Sequence, residues 1–307
     1  MAFNVIKSGI LTLVQDLGRY GYQHLGVTTG GPMDEFAFRW ANALLDNHAN
    51  AAQLEITFGM LTLEAQAPTS IALTGADLAA TLNDKAILPW QTYALKKGDV
   101  LAFNQPNLGL RAYLAVKGGL QIAPVLGSVS TVMRESLGGL TGKGDKIQKG
   151  DVIPFIASSE HQQRITPRLA IPNYEQQNIP MVMSYQFNTL SGLDRARLFS
   201  NTYTVTAASD RMGYRLSGEA INGDKKGIIS EGIAYGSIQM PNDGQPIVLL
   251  RDRQTIGGYP KMGCVTSFGG GLLAQKKPGD IINFQCFSLS QAEQERQRRM
   301  TVLSQLR

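Results

Sequence analysis

Cysteine and histidine are scarce in this sequence, which holds two cysteines and three histidines among its 307 residues. Cys264 and Cys286 are separated widely enough to indicate reduced, buried thiols of a cytosolic protein, although the two could lie on adjacent strands. The histidines lie far from one another, and none has a second ligand at the spacing of a zinc site. The sequence therefore predicts no metal centre.

Long apolar runs are also missing. No segment approaches the roughly 18 apolar residues of a membrane span, and the first residues lack the charged and then unbroken apolar regions of a secretion signal. We therefore expect a cytoplasmic protein that does not bind membranes. The net charge of +5 suits an anionic ligand, but the basic residues are scattered. Because nucleic-acid binding usually needs a run or patch of basic residues, we expect no nucleic-acid partner.

Familiar catalytic motifs are absent as well. The sequence has neither a GxSxG nor an HExxH motif, and Gly142-Lys143 lacks the flanking residues of a phosphate-binding Walker loop. We interpret the segment around Gly142 as a loop. These absences argue against an unaided hydrolase of a familiar kind.

The sequence does contain many short apolar segments, rich in Val, Ile, Leu, Thr and Phe and separated by Gly, Pro, Asn or Asp. This pattern is typical of an all-β sandwich or barrel. One turn recurs in LKKGDVLAF at 95–103, IQKGDVIPF at 148–156 and KKPGDIINF at 276–284. Each copy is expected to turn at Gly-Asp and then to start a strand.

A polar connector divides the chain into two parts. Residues 157–180 are rich in polar side chains and contain three prolines, which is typical of a linker. We therefore predict an N-terminal β-rich domain over 1–165 and a C-terminal β-barrel domain over 166–307.

Two helices are predicted within these domains. The first covers 33–47 and begins at Asp34, a good N-cap residue, after which the apolar residues recur at helical spacing. The second covers 290–307, where Ser290 and Glu293 have the spacing of a capping box and the apolar residues come late, up to Leu306.

The stretch RDRQTIGGYPKMGC at 251–264 follows an apolar strand and is abruptly charged. If the strand continued, Arg251 and Asp252 would lie on opposite faces, so both faces would leave the core together. One alternative is a hairpin end with solvated charges, and the other is a polar cavity. Gly257-Gly258 permits a bend that presents bare amides, and Lys261 adds a positive charge. Together these groups suit a carboxylate or phosphate ligand.

Two other segments are candidates for the same cavity. GVTTGGPMD at 26–34 joins a glycine turn with Gly31 to a helix N-terminus, where free amides favour anions. Asp34 is at least as well explained as the helix cap alone. SDRMGYRLSG at 209–218 groups Asp210 and Arg211 around a glycine, and its alternative interpretation is a surface ion pair beside a turn.

At these residues the sequence resembles a known family. The matching segments are GYQHLGVTTGGPMDEFAFRWANALLDN, RAYLAVKGGL with VLGSVST, SDRMGYRLSG, and GQPIVLLRDRQTIGGYPK. They are similar to the KipA family, also described as the biotin-dependent carboxyltransferase or allophanate hydrolase subunit-two family, over about residues 5–287. The resemblance implies a mainly β fold with two β-barrel-like, cyclophilin-like domains and a few short helices.

The resemblance also implies a function shared between chains. It favours the C-type component of an ATP-dependent 5-oxoprolinase, in which a chain of this kind and a KipI-like B-type subunit activate 5-oxo-L-proline by phosphorylation. The A-type subunit then completes ring opening to L-glutamate. ATP and Mg²⁺ are expected at the level of the complex, with 5-oxo-L-proline as the small-molecule substrate.

Two alternatives remain within the family. One is the carboxyltransferase component of a biotin-dependent urea or amide carboxylase, and the other is a non-catalytic regulator of a kinase inhibitor. The sequence lacks an Ala-Met-Lys-Met segment, so no covalent biotin is expected on this chain. A free-standing chain of this length favours the oxoprolinase.

These considerations assign expected roles to particular residues. Catalytic roles are predicted for Arg251, Lys261 and Asp252, of which Asp252 is expected to hold magnesium or to orient Arg251. Substrate-binding roles are predicted for Gln254, Thr255, Gly257, Gly258, Tyr259, Gly31, Asp34, Asp210 and Arg211.

Overall fold

A computed structural model describes residues 1–222 and 227–305 of the chain. The described residues form two compact units, each made of separate stretches of sequence: the first comprises Met1–Arg19, Gly30–Tyr174 and residues 301–305, and the second comprises Tyr20–Thr29 and Glu175–Met300. Both are built mainly from β-strands, with four α-helices among the described residues. The predicted mainly β class is confirmed, and the predicted boundary at 165–166 stays a prediction.

The first unit contains a six-stranded and a five-stranded sheet. Its elements are β1 (Ala2–Ser8), β2 (Leu11–Gln15), α1 (Glu35–Leu44), β3 (Gln53–Thr57), β4 (Leu61–Ala65), β5 (Thr69–Asp77), β6 (Thr81–Leu82), β7 (Lys85–Ala86), β8 (Gln91–Leu95), β9 (Val100–Ala102), β10 (Leu108–Val116) and β11 (Val152–Pro154). The strand orders are β11-β1-β4-β9-β6-β7 and β2-β3-β10-β5-β8.

The core of the first unit lies where these two sheets contribute to one apolar cluster. Phe3 and Leu63 come from the larger sheet, and Ile56, Leu73 and Leu114 come from the smaller one. Strand β10 is central in its sheet and is buried along nearly its whole length. Helix α1 packs against β5 and β10, which explains why both strands are buried along nearly their whole length.

The second unit is organised around a closed seven-stranded barrel. Its strand order is β12-β19-β16-β17-β14-β13-β20, and the parallel pairing of β12 with β20 closes the barrel. The elements of this part of the chain are β12 (Asn178–Met183), α2 (Gly192–Ser200), β13 (Tyr203–Val205), β14 (Gly213–Ser217), β15 (Glu231–Gly232), β16 (Ser237–Gln239), β17 (Ile247–Leu249), β18 (Ile256–Gly257), β19 (Lys261–Val265), α3 (Ser267–Ala274), β20 (Ile281–Cys286) and α4 (Leu289–Ser304). Strands β15 and β18 form a separate two-stranded ribbon.

The three repeated turns adopt one conformation. Gly98, Gly150 and Gly279 have φ of 88°, 89° and 94°, a region that glycine enters without strain. In each copy the following aspartate accepts a hydrogen bond from a backbone amide three residues earlier, over 2.7 to 2.8 Å. The turns then lead into β9, β11 and β20. The expected turn and strand are therefore confirmed at all three places.

The C-terminal helix is confirmed, but its capping box lies two residues earlier than predicted. The Ser288 amide donates to Gln291 Oε1 over 2.8 Å, and the Gln291 amide donates to Ser288 Oγ over 3.2 Å. Both Ser-x-x-Gln and Ser-x-x-Glu fit the pattern, and the helix uses the first. Leu306, the last apolar residue of the predicted helix, lies outside the described residues. No described helix has the length and the apolar character needed to cross a membrane.

The two cysteines do not lie on adjacent strands. Cys264 is on β19 and Cys286 on β20, and β12 runs between them in the barrel. Both thiols are free, as expected, but Cys286 is exposed, so the prediction that both are buried was wrong. Cys264 is half-buried and donates to the carbonyl of Tyr235 over 3.2 Å.

Candidate functional site

The charged residues after β17 are buried instead of solvated. Strand β17 ends at Leu249, and the chain turns at Arg251 and Asp252. The exposed fractions of Arg251, Asp252 and Arg253 are 6%, 6% and 7%. The expected continuation of the strand is therefore wrong, and so is the alternative of a solvated hairpin end. The other alternative, a polar cavity around these residues, stays a prediction.

Asp252 is held by an arginine that lies 41 positions away in sequence. Arg211 Nε donates to Asp252 Oδ2 and Arg211 Nη2 donates to Asp252 Oδ1, both over 2.9 Å. The Asp252 amide also donates to the carbonyl of Arg211 over 2.9 Å. A bidentate pair of this kind is among the strongest charge-assisted contacts in proteins. The structure thus pairs Asp252 with Arg211, and the expected role of Asp252 in orienting Arg251 stays a prediction.

The residues on either side of Asp252 in sequence are also buried arginines. Arg251 places its Cζ 4.4 Å from the centroid of the Tyr235 ring, an arrangement that favours a cation. Arg253 donates to the carbonyls of Ile233 and Leu250, each over 3.2 Å. Burial and the neighbouring charge of Arg251 lower the pKa of the Arg253 guanidinium. We call Arg211, Arg251, Asp252 and Arg253 the arginine cluster.

The four side chains of the arginine cluster comprise three guanidinium groups and one carboxylate. Guanidinium groups are well suited to binding carboxylate and phosphate oxygens. The cluster can therefore bind an anionic ligand or stabilise negative charge that develops on a substrate.

Lys261, the third predicted catalytic residue, forms an ion pair with Glu231. Gln186 joins this pair, since it accepts a hydrogen bond from the Lys261 amide over 2.6 Å and donates to Glu231 Oε1 over 2.7 Å. The Tyr185 hydroxyl donates to Glu231 Oε2 over 2.9 Å. The bonds from Lys261 and then from Tyr185 lower the pKa of the Glu231 carboxyl. The charge of Lys261 is thus balanced by a carboxylate that the sequence analysis did not identify.

The two glycines at 257 and 258 serve close packing more than a bend. Gly257 lies in β18, where it pairs with Glu231 of β15. A Cβ on Gly257 would lie 2.7 Å from Ile233 Cδ1 and 2.8 Å from Gln239 Nε2. Gly258 accepts a hydrogen bond from the Ile228 amide over 2.9 Å. The lack of a side chain at Gly257 therefore lets the ribbon lie directly over Gln239.

A cavity of about 170 Å³ in the second unit brings several predicted residues together. It is lined by Asp210, Gln254 and Tyr259, all of them proposed from the sequence, and also by Gln239 and Arg215. Thr255 lies between Gln254 and the ribbon, and its carbonyl accepts a hydrogen bond from the Ile233 amide over 3.0 Å. We call this cavity the barrel-wall pocket. Gln239 was not predicted; it ends the short strand β16, after Ser237 and Ile238.

Gly31 and Asp34 belong to the first unit. Asp34 caps α1, because its Oδ1 accepts a hydrogen bond from the Ala37 amide over 3.1 Å. Its Oδ2 accepts from the Tyr174 hydroxyl over 2.7 Å, and its amide donates to the Tyr113 hydroxyl over 2.7 Å. Gly31 has φ of 97° just before this cap. These contacts fit the alternative in which Asp34 is a structural cap, and its predicted binding role stays a prediction.

Comparisons with known proteins match nearly the whole chain. The family described as "Carboxyltransferase domain, subdomain A and B" matches residues 25–286. The chain is 36% identical to the C subunit of the 5-oxoprolinase of Escherichia coli (strain K12) over 305 residues, covering 98% of this chain and 96% of the relative. It is 31% identical to the urea amidolyase of Lachancea kluyveri, covering 95% of this chain and 17% of that protein.

A solved structure shows the same fold. The crystal structure of the K. lactis urea amidolyase superposes on the whole chain with a TM-score of 0.91 and 26% sequence identity. The chain spans 20% of that longer protein. The fold of this chain thus corresponds to one portion of a larger enzyme in yeast and to nearly the full length of the bacterial relative.

Proposed function

This chain belongs to the family of carboxyltransferase domains with subdomains A and B, and we propose that it acts as the C-type subunit of an ATP-dependent 5-oxoprolinase. The observation that carries the proposal is the correspondence with the E. coli protein over 98% of one chain and 96% of the other. The likeness extends over nearly the full length of both sequences. The proposed partners are a KipI-like B-type subunit and the A-type subunit.

The chemistry that such a complex must perform is the activation of a lactam. A lactam carbonyl carbon reacts poorly with water because the ring nitrogen is a poor leaving group. In the proposed reaction the terminal phosphoryl group of ATP moves to the lactam oxygen, and ADP leaves. Water then attacks the ring carbon, and the ring C–N bond breaks as the nitrogen takes up a proton, which leaves an acyl phosphate. A second water hydrolyses this acyl phosphate to L-glutamate and phosphate, and the A-type subunit is proposed to complete these steps.

The arginine cluster supplies what this step needs from the protein. Phosphoryl transfer places negative charge on the oxygens of the transferring group, and fixed cations stabilise that charge best when they are preorganised in a water-poor site. Arg251 and Arg253 are buried and oriented by fixed contacts. Asp252 orients Arg211 through the bidentate pair. We assign the charge-stabilising role to Arg251. Asp252 fixes the position of the neighbouring Arg211 guanidinium.

Lys261 has a different role in this proposal. Its ammonium group is engaged by Glu231, so its charge is already offset. The pair ties β15, one strand of the ribbon, to β19 of the barrel. We therefore assign Lys261 to positioning the ribbon with Gly257 and Tyr259.

ATP and Mg²⁺ enter the proposal at the level of the complex. Across residues 1–222 and 227–305, no group of three or more His, Cys, Asp or Glu side chains is arranged to hold a metal ion. Asp252 was expected to hold magnesium or to orient Arg251; both of its carboxylate oxygens accept hydrogen bonds from Arg211, and both expected roles stay predictions.

Reconstitution tests this function directly. The chain is mixed with the A-type and B-type subunits, ATP, Mg²⁺ and 5-oxo-L-proline, and L-glutamate and ADP are measured together. The proposal expects both products in equal amounts, and it expects neither above background when this chain is omitted. Equal glutamate formation with and without the chain would refute it.

Carboxyl transfer is the second candidate, and the TM-score of 0.91 with the urea amidolyase favours it. In that case the chain would move a carboxyl group from carboxybiotin to an amide nitrogen. The same preparation, supplied with a biotin carboxylase, a biotinylated carrier, bicarbonate and urea, distinguishes the two. Transfer of labelled bicarbonate to urea, with no glutamate formed from 5-oxo-L-proline, would favour the second candidate.

A further inference from the structure

Gln239 is a buried amide with an unused donor. Its side chain is 2% exposed, and its Nε2 has no hydrogen-bond partner within the described part of the chain. Leaving a buried N–H donor unsatisfied is costly, and most such groups in folded proteins have a partner. Gln239 also lines the barrel-wall pocket. A ligand that brings an acceptor oxygen into this pocket would satisfy the donor.

Strand register places a cation near this donor. Ile247 of β17 pairs with Arg215 of β14 on one side and with Gln239 of β16 on the other. Residues paired directly across antiparallel strands share a face, so Arg215 and Gln239 flank Ile247 on one surface of the barrel wall. The opposite surface carries Tyr214, Val248 and Ile238, which are buried in the barrel.

The distance between the two polar groups suits a small ligand. Neighbouring strands lie about 4.8 Å apart, so the backbones that carry Arg215 and Gln239 are roughly 10 Å apart across β17. Ile247 and Leu249 give this part of the pocket an apolar floor. The cavity of about 170 Å³ is below the roughly 300–1,000 Å³ of pockets for drug-sized molecules. It therefore suits a single small ring and not a nucleotide.

A third group adds a hydrogen-bond acceptor. Asp210 lines the pocket, and its Oδ1 accepts hydrogen bonds from the amides of Met212 and Gly213 over 2.8 and 3.2 Å. These bonds fix the carboxylate at the pocket wall. The pocket thus combines a neutral donor, an exposed guanidinium, a fixed carboxylate and an apolar floor.

We infer that the barrel-wall pocket binds the lactam itself, with Gln239 Nε2 donating to the ring carbonyl, Arg215 binding the carboxylate and Asp210 accepting the ring N–H. The ring methylenes pack on Ile247 and Leu249. The identity of the lactam as 5-oxo-L-proline rests on the proposed function, whereas the class of ligand, a small cyclic amide with a carboxylate, follows from the pocket. Gln254, which lines the pocket, follows Arg253 directly in sequence and so links the pocket to the arginine cluster.

Binding measurements with three probes test the assignment. 5-Oxo-L-proline carries the carbonyl, the N–H and the carboxylate, 2-pyrrolidinone lacks the carboxylate, and L-proline lacks the carbonyl. Each probe is titrated into the full chain alone and into its complex with the A-type and B-type subunits. We expect 5-oxo-L-proline to bind at least about tenfold more tightly than either analogue, because each analogue leaves one polar group of the pocket unpaired.

Two substitutions separate the contacts. Arg215→Gln should weaken 5-oxo-L-proline about tenfold and leave 2-pyrrolidinone unchanged. Gln239→Leu should weaken both lactams and leave L-proline unchanged, and Gln239→Glu should weaken 5-oxo-L-proline further. Because Gln239→Leu removes an unsatisfied donor, it should keep or raise the melting temperature, which excludes misfolding as the cause. Arg298→Gln, on the exposed face of α4, is the matched control.

The outcomes distinguish this inference from the proposed function. If the complex forms glutamate but the KM for 5-oxo-L-proline is the same in wild type and Gln239→Leu, the pocket assignment is wrong and the function stands. If no glutamate forms but 5-oxo-L-proline binding still depends on Gln239 and Arg215, the function is wrong and the pocket stands. Failure of 5-oxo-L-proline to bind either preparation overturns the inference.

Discussion

Arg211 holds both carboxylate oxygens of Asp252 through two hydrogen bonds of 2.9 Å, and both side chains are almost fully buried. Removing one partner of such a pair leaves the other charge buried and uncompensated. Loss of either partner is therefore expected to destabilise the folded protein.

Asp252→Asn should destabilise the protein strongly. The substitution keeps the shape of the side chain and removes its charge, and the expected loss is about 3–5 kcal/mol in the free energy of unfolding. Urea unfolding measures this loss. Arg296→Lys, at the largely exposed pair with Glu293 on α4, is the control and should leave the unfolding midpoint unchanged. An Asp252→Asn variant as stable as wild type would show that the buried pair contributes nothing.

Gly257→Ala should disturb the barrel-wall pocket through one added methyl group. The new Cβ would overlap Ile233 and Gln239 at 2.7 and 2.8 Å, and overpacking of this kind typically costs about 1–3 kcal/mol. We expect a lower melting temperature and weaker binding of 5-oxo-L-proline. Gly232→Ala is the matched control on the partner strand, because a Cβ there meets nothing within 4 Å. If both variants bind equally well, the ribbon does not shape the pocket.

The ion pair of Lys261 with Glu231 predicts a dependence of stability on pH. The pKa of the Glu231 carboxyl is lowered from its ordinary value of 4.5, chiefly by Lys261. The pair therefore stabilises the folded state above about pH 4.5, and this contribution is lost as the pH falls through the lowered pKa. Glu231→Gln should be less stable than wild type at neutral pH, and the difference should vanish in acid.

The stability difference between Glu231→Gln and wild type is measured from the midpoints of urea unfolding between about pH 3 and pH 7. Glu160→Gln, at an exposed position, controls for the loss of one negative charge. A constant difference between Glu231→Gln and wild type over the whole range would contradict the assignment of the effect to this ion pair.

Substitution of Asp34 tests whether this residue caps α1 or contacts the substrate. Its two carboxylate oxygens accept from the Ala37 amide and the Tyr174 hydroxyl, so Asp34→Ala should lower the free energy of unfolding by about 1–2 kcal/mol. The KM for 5-oxo-L-proline should stay unchanged. Ser191→Ala, which removes the N-cap of α2, is the comparison. A raised KM with unchanged stability would instead place Asp34 in the binding site.

Features with a local cause could be predicted from the sequence. The turn at Gly98 recurs at Gly150 and Gly279. It needs only a glycine in the left-handed region and an aspartate that accepts a backbone hydrogen bond, so a short sequence motif is enough to predict it. The N-cap at Asp34 is local in the same way. The capping box of α4 was misplaced because two overlapping pairs satisfy the same spacing.

Features that depend on barrel closure could not be predicted. Arg211 and Asp252 meet because β14 pairs with β17, and nothing near either residue in the sequence indicates that register. The same holds for Glu231, which reaches Lys261 through a ribbon of only two residues in each strand. Gln239 was not predicted because a single amide in a short strand does not indicate a binding residue. Its burial beneath Gly257 depends on how the ribbon folds over β16.

The most direct test of the account is glutamate formation by the reconstituted complex with Arg251→Gln in this chain. Arg251 is proposed to stabilise negative charge during phosphoryl transfer, and loss of one preorganised group of this kind typically lowers the rate about a hundredfold or more. The account predicts such a loss in kcat, with an unchanged melting temperature and with full activity in the Arg298→Gln control. Turnover equal to wild type in Arg251→Gln would contradict it.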